Sequence, residues 1–490
     1  MKLLKRTISA ILAAFSALSF AACGTSGSKI TDTTVPYDSE ITESTETAPG
    51  TNIPSDAFYD GKPFRILCIK GGYFGDDVEK MDLSVGDILY QEKYKRLSKI
   101  EDTLGVDFKF TAMDNDAVPG AIRSAVNSGS DEYEMTSGLA SHMASLVYED
   151  LFVPVNDLTY IDLENPWWNK EYIESVSFDG KNPYILFGGI NYNSIERTTC
   201  VFVNVPLLED KAQVQLSELH ETVLDGEWTI DKMYEMMSVM YHDENGNGNN
   251  DAGDTFGLIN AGADTFNYMA FGAGLRFVSR DENGYPELSV NNDRTFDLMD
   301  KLLTVFRANE NSFNVGSYSN ECNAFSNGQS LFMVQRFFVA SWGNMREMKQ
   351  DYSIVPVPKF SEDIDNYHSV IGDLVQWHTV PVTAEDLDMI SAVLETMAYE
   401  GYENLVPAYY DSTLKLKYTR GDDLDTQSRI LDIITENART DFLYINPVGP
   451  MKRIFKDVFS RGQNNLASLY ASYESSALAS FVSMREFCEQ

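Results

Sequence analysis

The sequence predicts an α/β protein whose body is large enough for two lobes. Two observations lead there. Residues 64–136 alternate strand, helix, strand, helix, strand, the signature of a parallel sheet with helices on its faces. Beyond a polar N-terminal segment, roughly 430 residues remain, more than one hydrophobic core usually organises. The first strand is Phe64–Ile69, closed by the glycine-rich turn Gly71–Gly75. A helix follows over about Gly86–Leu104, with Tyr90, Tyr94, Leu97, Ile100 and Leu104 at spacings of three and four, and Gly105 stops it. Val106–Thr111 alternates as a second strand. A second helix spans Ala117–Asn127, with Pro119 tolerated in its first turn, and Tyr133–Thr136 opens a third strand. Ligands of such sheets bind beyond the carboxyl ends of the strands, which points to the loops Gly71–Gly75 and Ser137–His142.

The N-terminus has the layout of a secretory signal: Lys2, Lys5 and Arg6, then an apolar stretch from Ile8 to Phe20, then Ala21-Ala22-Cys23-Gly24. Small residues before Cys23 resemble the lipobox of bacterial lipoproteins, which implies a thiol acylated at Cys23. Phe20 departs from the Leu that box prefers, and plain cleavage after Ala22 is the alternative. From Thr25 to about Asp56 the chain is rich in Ser, Thr, Gly, Pro and acids, the composition of a flexible tether. A formal charge of -36 disfavours nucleic acid and anionic lipid as partners, so contact with the membrane is expected through the N-terminal lipid only. Cys68, Cys200, Cys322 and Cys488 are too sparse for a disulfide scaffold and read as free thiols, with one bridge left open.

The most specific motif is Asp243–Asp254, DENGNGNNDAGD, which fits the D-x-[DN]-x-[DN]-G calcium loop. Asp243, Asn245, Asn247, Asp251 and Asp254 supply side-chain oxygens, Asn249 supplies a backbone carbonyl, and Gly246 makes the sharp turn. A structural Ca2+ is expected, held more weakly because Asp254 stands where Glu is usual; a solvated polar turn is the alternative.

Several stretches resemble, in order, the extracellular solute-binding proteins of carbohydrate ABC importers, the maltose-binding-protein-like group. They are SGLASHMASLVYEDLFVPVNDL at Ser137–Leu158, Phe178-Asp179-Gly180-Lys181 with Tyr184, Val201-Phe202-Val203-Asn204 with Leu207-Leu208, and Gly226-Glu227-Trp228-Thr229-Ile230-Asp231. Phe325–Phe332 and Tyr352–Pro358 continue the series. The resemblance implies a two-lobed periplasmic-binding-protein type II fold with a crossover-strand hinge. It places a signal peptide at 1–22, a lipid-anchored tether at 23–56, lobe 1 at 57–190 and 372–410, and lobe 2 at 191–371 and 411–490. The chain would cross near Gly189–Thr198 and return near Ile371–Val380. The function implied is capture of an oligosaccharide or other small solute by a monomer outside the cell, for delivery to the permease subunits of an ABC importer.

A sugar site needs flat aromatic rings for stacking and amides, carboxylates or arginine for paired hydrogen bonds. Trp342 lies in the loop after Leu331–Val334, where the family carries a stacking tryptophan. Trp377 and Asp373 fall on the return crossover, and Asn191 and Tyr192 on the first, where Gly188-Gly189 permits close backbone approach. Arg336 suits a hydroxyl pair or a carboxylate; Tyr73, Phe74 and Ser137 complete the candidates from the lobe 1 loops. Packed core tryptophans and surface ion pairs are the competing readings. Trp167-Trp168 reads more simply as a loop anchored into a core, and the Met233–Met240 series as core. No HExxH, zinc spacing or GxSxG elbow appears, and with 74 acidic residues a carboxylate pair carries no weight, so no catalytic residue is expected. A secreted glycan-active enzyme, and a sugar sensor or adhesin on the same fold, are the alternative classes.

Overall fold

A computed structural model describes residues 50–70, 88–307, 310–411 and 424–489. Cys23, Tyr73 and Phe74 lie outside the described residues, so the lipobox and the Gly71–Gly75 loop have no structural counterpart here. The strands in chain order are β1 (Lys62–Ile69), β2 (Val106–Met113), β3 (Met135–Leu139), β4 (Thr199–Asn204), β5 (Phe256–Asn260), β6 (Val278–Arg280), β7 (Pro286–Leu288), β8 (Ser312–Asn314), β9 (Ser330–Arg336), β10 (Tyr352–Val355), β11 (Ser369–Val370), β12 (Gln376–Thr379) and β13 (Ala438–Arg439). The helices that matter below are α1 (Ile88–Leu104), α2 (Val118–Asn127), α3 (Lys170–Val176), α4 (Ala263–Gly272), α5 (Tyr318–Ser326), α6 (Leu387–Glu400), α7 (Leu424–Glu436), α8 (Ile454–Arg461) and α9 (Leu466–Cys488).

The first sheet has the order β12-β3-β1-β2; β1 is parallel to β2 and β3, while β12 runs antiparallel to β3. Strand β1 is buried on both faces because helices cover both. Phe64, Ile66 and Cys68 pack toward α1 and α6, whereas Leu67 and Ile69 pack toward α2 and α3. That two-sided burial explains why FRILCI reads as a continuous apolar run rather than an alternating one. Gly105, at φ +64, ends α1 in the left-handed conformation that only glycine adopts without strain.

The second sheet has the order β10-β4-β9-β5-β8, with β5 parallel to β9 and β8 and β4 antiparallel to both neighbours. One large apolar cluster spans its faces and extends into α7, α8 and α9. Two of the motifs read from the sequence meet inside it: the buried Trp228 indole donates to the carbonyl of Pro356 at 2.9 Å, tying the GEWTID helix start to the YSIVPVP strand.

Two chain segments join the sheets. The outgoing segment pairs with the returning one at Leu186 opposite His378 and at Thr198 opposite Ile371, both antiparallel. The fold is thus α/β and two-lobed, with crossing strands between the lobes. Cys68, Cys200, Cys322 and Cys488 are all free thiols. Among the described residues no helix is long and apolar enough to cross a membrane.

Candidate functional site

The topology decides where the lobes face each other. In the first sheet β3 ends at Leu139, which pairs with Gln376 at the start of β12; in the second, β9 ends at Arg336, which pairs with Thr199 at the start of β4. Since 186–199 and 371–378 connect these ends directly, the carboxyl ends of the parallel strands of both sheets open onto one interlobe gap. Loops and helix N-termini gather there, as in other open α/β sheets.

The second lobe supplies a wall of aromatic rings around a guanidinium. Arg336 is 2% exposed. Its guanidinium carbon lies 4.8 Å from the ring centre of Phe338, 5.2 Å from Tyr318 and 5.6 Å from Tyr268. Arg197 covers the same Phe338 ring at 4.5 Å, and Trp342 meets that ring edge-on at 5.4 Å. The Tyr268 and Tyr318 hydroxyls share a hydrogen bond of 3.0 Å, and burial raises both phenols above their ordinary range. Behind them the carboxyl of Glu321, wholly buried, accepts from Gln335 Nε2 at 2.8 Å; burial holds it well above the carboxylate range, so it is a neutral acid. A fixed cation between ring faces, in a dry setting, is pre-organised for hydroxyl pairs or an anionic group.

Polar groups continue from this wall to the return crossover. Asp264 pairs with Lys456, and Asp373 with Lys452 at 3.5 Å. Tyr444 stacks on Phe271 at 4.7 Å, and its hydroxyl, kept protonated by burial, is within the fields of Tyr268, Asp373 and Arg336. Beside it Asn267 is 1% exposed, and neither amide atom has a hydrogen-bond partner at normal distance. A buried amide with unspent donors and acceptor is costly unless a ligand or water completes it. Across the gap, lobe 1 contributes His142, 3.9 Å from Asp116.

No protein-family model matches the chain, and no curated protein matches it. Solved structures do. One is the extracellular solute-binding protein from Staphylococcus aureus in complex with maltose, at TM-score 0.55 and 11% identity, covering 86% of this chain and 97% of that one. A cyclo/maltodextrin-binding protein complexed with maltotetraose matches at 0.53 and 11%, covering 87% and 97%. UgpB from Mycobacterium tuberculosis, in complex with glycerophosphocholine, matches at 0.52 and 12%, covering 86% and 98%. The fold is that of the extracellular solute-binding proteins.

Within this solute-binding fold the candidates from sequence separate into two groups. Arg336 and Trp342 stand together on the lobe 2 wall, and Asp373, on the crossover and paired with Lys452, lies within the field of Tyr268 and Tyr444. The other described candidates are tied into the protein. Trp377 is 1% exposed in the lobe 1 core, its indole donating to Tyr172 Oη at 3.1 Å, so it packs rather than lining the gap. Ser137 is fully buried and donates to Gln376 Oε1 at 3.2 Å. Asn191 donates to His378 Nε2 at 2.9 Å and accepts from the Asn193 backbone at 3.0 Å, which braces the crossover. Tyr192 stacks on Tyr409 at 4.6 Å, with Lys93 over its other side at 5.2 Å. Gly188-Gly189 does permit close backbone approach, but to protein: a side chain on Gly189 would meet the carbonyl of Ala398 at 2.2 Å.

Tyr268, Tyr318, Phe338, Asn267, Glu321 and Tyr444 escaped the sequence reading because they meet only through tertiary structure. The one available signal was position, since Phe338 is two residues beyond Arg336.

The Asp243–Asp254 loop is wound on its own polar groups. Asp243 accepts from the backbone of Gly246 (2.7 Å), Asn247 (3.2 Å) and Gly248 (2.8 Å). Asn245 and Asn247 both donate to the Asp251 carboxylate, at 3.1 and 2.6 Å, so two amides converge on one carboxylate. Buried Asp254 accepts from the Glu244 and Asp251 backbones at 3.3 and 3.1 Å, and Asn249 donates its backbone N–H to Asn247 Oδ1 at 2.7 Å. Among the described residues no three His, Cys, Asp or Glu side chains are grouped to hold a metal by themselves, so a cation here would depend on the asparagine oxygens.

Proposed function

We propose that this protein is a carbohydrate-binding protein of transport, which closes its two lobes on a short glycan and passes it to a membrane importer. The observation that carries the reading is the Arg336 guanidinium, buried among Tyr268, Tyr318 and Phe338 at the interlobe end of β9. Rings offer stacking faces for pyranose rings, and Arg336, Asn267 and the Asp373–Lys452 pair offer paired hydrogen bonds for hydroxyl groups. The maltose and maltotetraose complexes of the fold neighbours support the same ligand class.

The test is a thermal-shift panel of maltose, maltotriose, maltotetraose and glycerophosphocholine on the mature chain. A ligand that binds only the folded protein raises the melting temperature by mass action. The expected result is a rise with the glucans that disappears in Arg336→Ala and in Trp342→Ala, the latter keeping the parent's ligand-free melting temperature because Trp342 is only partly buried. A rise confined to glycerophosphocholine, or no rise with any glycan, would sink the carbohydrate reading.

We further propose that Cys23 carries the lipid anchor and that the 243–254 loop takes Ca2+ in a structural role. Asn245, Asn247 and Asp251 would hold the ion by turning their oxygens inward, with Asp243, Asn249 and Asp254 closing the loop. Mass spectrometry of the mature N-terminus tests the first. Calcium titration of the chelated protein, parent against Asp251→Ala, tests the second, and equal heats in both would refute it.

A further inference from the structure

A cavity of about 480 Å³ lies between the lobes, beside the Arg336 wall. Helix α3 walls it on the lobe 1 side. The carboxyl end of α4, strand β6, strand β11 with His368 before it, and β13 with Thr440 and Asp441 wall it on the lobe 2 side. The two sites adjoin along α4: Asn267 and Tyr268 belong to the Arg336 wall, while Phe271, on which Tyr444 of that wall stacks, lines the cavity together with Leu275 and Arg276 just beyond the helix. From Asp264 to Phe271 the helix advances about 10 Å.

The chemistry of the lining is cationic where its donors remain unspent. Of the four basic side chains, Arg280 is committed to backbone carbonyls of Phe178, Gly284, Glu174 and Ser177 at 2.6–2.7 Å, and Lys181 to the carbonyl of Asn283 at 3.1 Å. Arg439 is engaged only through Nε, 3.4 Å from a Glu171 carboxylate whose side chain is 61% exposed. Arg276 is exposed; its carbonyl accepts from Ser289 Oγ at 3.2 Å, while its guanidinium makes no hydrogen bond or ion pair among the described residues. Both guanidinium groups face His368, and with its burial they keep that imidazole neutral, down to about 4. Arg276 stands in the field of the buried Asp441 carboxyl and Arg439 meets Glu171, yet neither carboxylate joins the two guanidinium groups, which leaves a gap that an anion spans.

The acids of the cavity do not fill that role. Asp179 accepts from the Lys181 and Asn182 backbones, at 2.9 and 3.0 Å, and from the Asn182 amide. Asp441 accepts from the Phe277 and Leu443 backbones at 3.1 and 2.8 Å, and Glu174 faces Lys170 at 3.6 Å. Ser369, fully buried in the same lining, has a hydroxyl with no partner, and so does Thr440. Phe271, Leu275, Val278 and Phe442 give the remainder an apolar surface.

We propose that this cavity is a second binding site, for a small organic anion whose carboxylate or phosphate is clasped by Arg276 and Arg439 and whose body lies against the apolar wall. The volume falls in the range of small-molecule sites, about 300–1,000 Å³, and exceeds what a bare inorganic anion fills. The exposed Arg439–Glu171 contact is the kind that exchanges at little cost, so a ligand oxyanion can replace it. On a chain of charge -36, an anion is repelled at long range and held only by contact, which makes the two guanidiniums decisive.

The test is calorimetric titration of the mature chain with glucuronate, glucose 1-phosphate and inorganic phosphate, with glucose as the neutral control. Glucuronate or glucose 1-phosphate should bind where glucose at the same concentration does not, and the stronger of the two identifies the head group. Arg276→Gln and Arg439→Gln should each weaken binding by about tenfold or more, while leaving any glucan shift at Arg336 intact. Arg276 is exposed, so its replacement leaves the melting temperature near the parent's. Absence of binding by all three anions overturns the proposal. So does binding that survives both arginine replacements, including binding lost instead in Arg336→Ala, which would put the anion in the cleft.

Discussion

Acidification should draw stability from this protein at two histidines, His378 and His368, whose imidazoles the fold keeps neutral. His378 lies on the return crossover. Its backbone N–H donates to the Leu186 carbonyl at 3.2 Å, its carbonyl accepts from Leu186 N at 2.8 Å, and its Nε2 accepts from Asn191. Burial, and then the Arg96 guanidinium, hold the imidazole neutral down to about 3; burial, Arg439 and Arg276 hold His368 neutral down to about 4. Both begin from 6.5 when the chain unfolds. A depressed histidine contributes stability that is fully present above 6.5 and lost as the pH falls toward the folded value. At about pH 5 each histidine has therefore cost about 2 kcal/mol. Asp441 works in the opposite direction. Its burial raises it from 3.8 to about 6, so its contribution is full below 3.8 and lost as the pH rises through about 6. Between about pH 7 and about pH 5 it returns about 1.3 kcal/mol; Glu321 and Glu395, raised by burial as well, change in the same direction, so the histidine loss is read by difference between parent and variant. Urea titrations followed by tryptophan fluorescence across this range measure the loss. His378→Gln keeps an acceptor for Asn191 and cannot titrate, so its stability curve should be flatter by about 1.4 kcal/mol per pH unit in the middle of the range. Parallel curves for parent and variant would refute the assignment of His378 as a buried neutral imidazole.

Two further perturbations probe the supports of the gap. Glu395 accepts from the Trp167 indole at 3.0 Å, the Trp168 indole at 2.7 Å and the Asn165 amide at 2.9 Å, all from the NPWWN segment. Glu395→Ala leaves those donors unsatisfied and should cost about 3–5 kcal/mol, read as a fall in urea midpoint; a change below about 1 kcal/mol would mean that water replaces the carboxylate. Arg280, on the β6–β7 hairpin, reaches across to the carbonyls at the end of α3 and just beyond it. Arg280→Ala should cost about 1–3 kcal/mol and, by freeing one lobe from the other, increase the radius of gyration in solution scattering without ligand; an unchanged radius would show that the latch does not set the interlobe angle.

The parts of the fold that sequence made legible are those fixed by local chemistry. Gly105 stops α1 because its backbone must turn left-handed, and the FRILCI run is continuous because helices cover both faces of β1. Motifs at the YSIVPVP strand and the GEWTID helix could be read separately, but not the Trp228–Pro356 bond that joins them across 128 residues. The site was less legible for the same reason. Arg336 and Trp342 stand near each other along the chain and could be nominated together. Tyr268 and Tyr318 are 50 residues apart on two helices, and nothing in either segment says that their hydroxyls meet. Trp377 shows the converse. Its place beside Asp373 suggested the gap, yet β12 alternates, and the pleat that sends His378 toward Asn191 sends Trp377 into the core beside Tyr172.

The same accounting explains why the lobes contribute unequally to the gap. On lobe 2, Arg336, Tyr268, Tyr318, Phe338 and Glu321 fix one another through ring contacts and hydrogen bonds before any ligand arrives, so their side-chain entropy has already been lost in folding. On lobe 1, among the described residues, Ser137, Asn191 and Asn193 are spent on the crossover itself: Ser137 on Gln376, Asn191 on His378, and Asn193 on the Gln376 backbone at 3.1 Å. These bonds hold the two crossing segments in register, which a hinge needs if two rigid halves are to return to one closed geometry. On the proposed function, recognition rests on the ends of β5 and β9, and movement on the paired strands 186–199 and 371–378. The buried neutral groups, Glu321 on the wall and His378 on the hinge, keep both free of uncompensated charge where water is excluded.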